Sequence, residues 1–150
     1  MAGSKSNYLE NAVLTYWLRG NDADGNAVPD YTAPTSVYLG IHSTTTSDGT
    51  LVEIAASNYS ATDGDGAVTA GNRPKIVFAN PSAGQIQGPQ ADIEFDNTSG
   101  SSFTVDGFGI YDSASSGNLL YWGELSTDKT IADGDSIRFE ASTSITISED

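Results

Sequence analysis

With 150 residues the chain has the length of a single domain, enough to bury an apolar core without disulfides or a structural metal. It contains no cysteine, which excludes disulfide frameworks, thiol nucleophiles and cysteine-ligated zinc. Asp and Glu number 20 against 6 Lys and Arg, a formal net charge of -14; the bases (Lys5, Arg19, Arg73, Lys75, Lys129 and Arg138) are scattered rather than striped, so no footprint for nucleic acid is expected.

The first residues lack an apolar core of signal-peptide length, and no window approaches the roughly 18 apolar residues of a membrane span, so neither secretion nor membrane insertion is expected. Asn7, followed by Glu10 at the third helical position, reads as the cap of a helix over 7–19. Leu9, Ala12, Val13, Tyr16 and Trp17 recur on one apolar face, Arg19 sits in the last turn, and Gly20 is the stop. A helix of about three turns is marginal alone in water, so it has to dock, either on its own sheet or on another chain. Tyr8, Leu9, Tyr16 and Trp17 are its candidate partner-binding residues.

Residues 21–34 are turn formers without periodicity. Asp22, Asp24 and Asn26 resemble the start of a calcium loop, but Ala33 stands where such a loop needs a carboxylate, so the expectation is a solvated turn with no metal. Short strands then follow at 36–42, 51–56, 59–61, 74–79, 85–87 and 92–96, the last alternating cleanly with Ile93 and Phe95 on one face and Glu94 and Asp96 on the other. The strongest segment is 103–125, which reads as a hairpin: an aromatic and β-branched run to Tyr111, turn formers ending in Gly117 and Asn118, and a second apolar run from Leu119. Strands at 129–131, 136–140 and 144–148 complete the chain. The pattern predicts an all-β fold, an antiparallel β-sandwich with jelly-roll or Greek-key connections and one short N-terminal α-helix. It forms a single domain over 1–150, with the helix at 7–19 and the sandwich at 35–148.

Enzyme chemistry finds few materials. His42 is the single histidine, and one histidine beside a Ser/Thr-rich turn does not make a nucleophile, base and orienting group. Glu94, Asp96, Asp106 and Glu124 are candidate carboxylates for glycoside hydrolysis, yet alternation turns the first two outward and a small sandwich offers no deep cleft of its own. Tyr121 and Trp122 could stack on a sugar, but adjacent strand residues face opposite ways, so at most one is exposed. Gly107-Phe108-Gly109 lies within a strand and opens no helix, so no nucleotide or other cofactor is expected.

Three stretches carry a resemblance: S-N-Y-L-E-N-A-V-L-T-Y-W-L-R-G from Ser6, Y-T-A-P-T-S-V-Y-L-G-I from Tyr31, and V-D-G-F-G-I-Y-D-S-A-S-S-G-N-L-L-Y-W-G-E-L from Val105. In these the chain resembles a family of short virion proteins from tailed bacteriophages, especially marine ones, over about 7–147. The resemblance implies a non-enzymatic structural component located in the virion and assembled in the host cytoplasm, without catalytic residues or cofactors. Its partners would be other virion proteins, either the major capsid protein or tail components, with self-association among them. Two placements follow: a decoration or knob protein on the capsid lattice, favoured by small size and the lack of a fibrous segment, or a tail-fibre or adhesin-like module that presents loops to a host-surface glycan. A carbohydrate-active module is a third class.

Overall fold

The computed structural model describes residues 4–14, 33–45, 50–142 and 144–148. Its elements, in chain order, are β1 (Ser4–Lys5), α1 (Asn7–Leu14), β2 (Val37–Thr44), β3 (Val52–Glu53), β4 (Tyr59–Asp63), β5 (Gly66–Ala67), β6 (Lys75–Ile76), β7 (Gln85–Gly88), β8 (Ile93–Asn97), β9 (Phe103–Tyr111), β10 (Leu119–Ile131), β11 (Ser136–Phe139) and β12 (Ile145–Ser148). One sheet has the order β1-β10-β9-β2-β3, with β6 also paired to β2; a second runs β11-β8-β4-β5; and β12 pairs with β7 alone. All pairings are antiparallel. The result is the expected sandwich-like all-β architecture with one short N-terminal helix.

Alternation decides which residues enter the core. Leu39 and Ile41 of β2 and Phe108 and Ile110 of β9 meet Ile93 and Phe95 of β8, Phe139 of β11 and Ile145 and Ile147 of β12, all buried. Edge-to-face rings run through it: Tyr59 to Phe95 at 5.0 Å, Phe95 to Phe139 at 6.0 Å, and Phe139 across to Phe108 at 6.4 Å, which joins the two larger sheets. Asn97 closes one end of the sandwich. Buried at the end of β8, its side-chain amide donates to the carbonyls of Ser101 and Ile131 and accepts from Ser99.

Three local expectations change. Helix α1 is described over Asn7–Leu14, and the remainder of the expected helix, including Tyr16 and Trp17, lies outside the described residues. Its cap is Ser6 rather than Asn7: the Ser6 hydroxyl accepts from the Leu9 N–H and its carbonyl accepts from the Glu10 N–H. The expected strands at 119–125 and 129–131 are one strand, β10, because a shift in register between Glu124 and Lys129 takes up the extra residues as a bulge. Conversely, the expected strand at 74–79 shrinks to β6, since β2 offers partners only to Lys75 and Ile76; 77–79 instead runs beside β7, where the Ala79 N–H donates to the Gln87 carbonyl.

Candidate functional site

The densest polar chemistry sits on the outer face of the six-stranded sheet and is buried. Gly40 of β2 and Gly109 of β9 are directly opposite one another, and neither could carry a side chain. A Cβ on Gly40 would stand 2.7 Å from the Glu53 carboxylate and 2.9 Å from the Tyr111 ring, and one on Gly109 would stand 2.8 Å from the His42 ring. Into the trough they leave comes Arg73, only 7% exposed. Its guanidinium forms a two-pronged ion pair with Glu53 through Nε and Nη2, lies 3.6 Å above the centre of the Tyr111 ring, and donates from Nη1 to the carbonyls of Ser113 and Ser116 at 2.9 and 2.7 Å. The Arg73 N–H adds a bond to the Ala114 carbonyl.

His42 belongs to this assembly. It is fully buried, its Nε2 is 2.9 Å from the Tyr111 hydroxyl, and its Nδ1 has no hydrogen-bond partner among the described residues. Burial pushes its pKa down to about 4, against the opposing pull of Glu53 and Asp106, so the ring is neutral at pH 7. The Tyr111 hydroxyl is shifted upward by the same desolvation. A neutral imidazole sealed from solvent reaches no substrate; the group ties β2, β3 and β9 to the 112–118 loop. That loop is further closed by Asp112, whose carboxylate accepts from the Asn118 N–H at 2.7 Å and from its side-chain amide at 2.9 Å, while Ser116 and Gly117 take φ of 55° and 79°. Sequence reading missed Arg73 and Glu53, which stand far apart in the chain. The legible trace was the pair of glycines inside otherwise bulky strands.

The carboxylates considered for hydrolysis divide between two sheets, Asp106 on β9 and Glu124 on β10, Glu94 and Asp96 on β8. Asp106 accepts from the N–H and hydroxyl of buried Thr45, whereas Glu94 on β8 faces Arg138 of β11 and accepts from Ser136. Among the described residues no group of three or more His, Asp or Glu could hold a metal ion. Tyr121 packs against the core; Trp122 is half-buried, with its indole N–H shielded.

The N-terminal arm is an added edge. Ser4 and Lys5 pair with Trp122 and Tyr121, and buried Ser6 donates its N–H to the Leu120 carbonyl and its hydroxyl to that of Leu119. Of the proposed binding residues, Leu9 is buried, Tyr8 is 44% exposed, and Tyr16 and Trp17 lie outside the described residues. At another face, an apolar cleft of about 400 Å³ opens between the six-stranded sheet and the β7–β12 pair, lined by Val37, Phe78, Ile86, Ile110, Leu120 and Tyr121.

Fold and chemistry together define a β-sandwich module whose buried polar residues hold its own scaffold together. The family model described as Podophage GP4 fiber I protein gp80 matches residues 4–148, and the chain belongs to that family. No curated protein matches it. Its role is that of a structural protein of the phage virion, in association with other virion components.

Proposed function

We propose that the chain is a non-enzymatic fibre module of a phage particle, carried on the tail side rather than on the capsid lattice. The observation that supports this reading is the match to a fibre family over 4–148, because it spans both the arm and the whole sandwich rather than one shared motif. The arm suits attachment: it is laid on an edge of the sheet, and Tyr8 points outward, with Tyr16 and Trp17 following in sequence. Leu9 is already engaged by the chain's own sheet and is set aside as a contact. The 112–118 loop, held from beneath by Arg73, is a preordered polar tip of the kind a fibre presents outward. Small size, the lack of a fibrous segment and the polar acidic loops are the features that favour capsid decoration, and the same experiment weighs both. Gold-labelled antibody against this chain should decorate the tail region of intact particles; uniform labelling of the heads would replace the fibre reading with decoration.

A further inference from the structure

We infer that the apolar cleft between the six-stranded sheet and the β7–β12 pair is a binding site for the hydrocarbon tail of an uncharged lipid. The cleft faces inward. Ile110, Leu120 and Tyr121 line it from the sheet, and Phe78, Ile86 and Ile147 from the other wall. Ile110 and Ile147 belong to the central cluster, while Phe78, Ile86 and Tyr121 pack against it half-buried, so apolar surface of the core stays within reach of a ligand here. A volume of about 400 Å³ with such walls is that of a small-molecule pocket. Gly88 shapes the wall: it lies on the same side of β7 as Ile86, and a Cβ there would stand 2.7 Å from the Phe78 ring, so its absence lets Phe78 lie close against the strand.

Charge and hydrogen bonding identify the ligand. The chain carries a net charge of -14, yet no charged residue occurs between Lys75 and Asp92 or between Glu140 and Glu149, the two runs that supply Phe78, Ile86 and Ile147. A cation would find no carboxylate in the cleft and an anion no base, and stripping water from either against apolar walls is costly. The group held inside is therefore uncharged. A peptide is disfavoured as well, because β7 is already paired on both sides: with β12 from Gln85 opposite Ser148 to Gly88 opposite Ile145, and with the preceding segment through the Ala79 to Gln87 and Gln90 to Val77 backbone bonds. Ser82 and Gln85 close the turn before β7 with two bonds, and on the sheet side Ser6 takes the carbonyls of Leu119 and Leu120. A peptide laid along β7 would find no strand edge, and its backbone groups would lose water without gaining partners. A hydrocarbon chain has no such groups to satisfy, and its transfer from water into the cleft is favourable along its length.

The test uses the full chain and N-phenylnaphthylamine, an uncharged dye that brightens in apolar surroundings. Wild type should bind the dye and release it to monoacylglycerols kept below their micelle-forming concentrations. Each added methylene from the octanoyl to the dodecanoyl compound should tighten displacement about fourfold, as burial of a methylene requires. Dodecanoate, which brings a carboxylate to the same tail, should bind about tenfold more weakly. Monododecanoylglycerol should raise the thermal midpoint and slow amide exchange at Phe78, Ile86 and Ile147. Ile86→Trp, which puts an indole into the cleft, should bind about tenfold more weakly, whereas Thr127→Glu, exposed on β10, should bind as wild type. The proposal is overturned by a wild type that binds no dye, by displacement indifferent to chain length, by dodecanoate binding as tightly, or by slowed exchange elsewhere than the cleft. A cooperatively melting Ile86→Trp that binds as wild type overturns it too; where that variant does not fold, the exchange pattern of wild type decides. A cleft protected only on assembled particles, with the isolated chain inert to lipid, would give it to a neighbouring virion protein and likewise overturn the proposal. The outcome is independent of the fibre placement, which labelling of particles decides separately.

Discussion

At the scale of single residues, the decisive group is Arg73. Removing one partner of a buried ion pair leaves the other charge without compensation, a loss of about 3–5 kcal/mol, whereas replacing both with apolar residues is often near neutral. Glu53 keeps a quarter of its side-chain exposure, so Arg73→Met should lose about 3 kcal/mol in a denaturant melt, and Arg73→Met with Glu53→Leu should recover most of it. The double variant should still show faster amide exchange over 113–118, because the Ser113 and Ser116 carbonyls lose their donor. His42 gives a second prediction. Its proton binds near pH 6.5 in the unfolded chain and only near pH 4 in the folded one, so between those values the unfolded state takes up more protons and stability falls as pH falls. At about 1.4 kcal/mol per unit, the loss is about 3 kcal/mol by pH 4. His42→Gln should flatten this part of the stability profile measured from pH 7 to pH 4; an unchanged slope would assign the acid loss elsewhere. Beyond the glycines at 40 and 109, little of this was legible in the sequence, where His42 stands only as a strand-end histidine and Arg73 as one of a scattered pair with Lys75. Burial and the identity of a partner twenty positions away in sequence are set by strand pairing, not by local pattern.

At the scale of elements, the two-residue period carried most of the information. Ile93 and Phe95, Ile145 and Ile147, and Leu39 and Ile41 all enter the core as alternation requires. It failed where the period is interrupted. The bulge between Glu124 and Lys129 breaks alternation, so one long strand reads as two short ones. Ser6 and Asn7 are both good caps, and local sequence cannot choose between them; the bonds from Ser6 to the Leu119 and Leu120 carbonyls make the choice from more than a hundred residues away. Gly109 can be tested as a strand residue held small by its neighbours. Gly109→Ala would drive its methyl into the His42 ring and the Leu119 side chain, and overpacking of this kind costs about 1–3 kcal/mol. Gly134→Ala, at a turn with φ of 84° and open space around the position, should lose less, from backbone strain alone. If the two variants melted alike, the trough around Arg73 would not be as tightly filled as its contacts indicate.

At the scale of the whole molecule, the arm and the sandwich separate physically. The central cluster is built from β2, β4, β6, β8, β9, β10, β11 and β12 with the residues that flank them, and contains no residue of 4–14. The arm adds the two pairs of β1, the two bonds of Ser6 to the Leu119 and Leu120 carbonyls and the burial of Leu9. Such an edge element stabilises the sheet it covers without nucleating its core, and opens at lower free energy than the whole. A chain lacking 1–14 should therefore still unfold in one cooperative transition, with a lowered midpoint and with the amides of Leu119 to Trp122 exchanging faster. On particles the outcomes divide further. If the shortened chain remains folded but no longer assembles, the arm is the attachment device and Tyr8 its outward contact; if it assembles as before, attachment lies on the sandwich itself. Loss of the cooperative transition would instead make the arm part of the core, and would require that Leu9 does more for the fold than its place at the margin of the sheet implies.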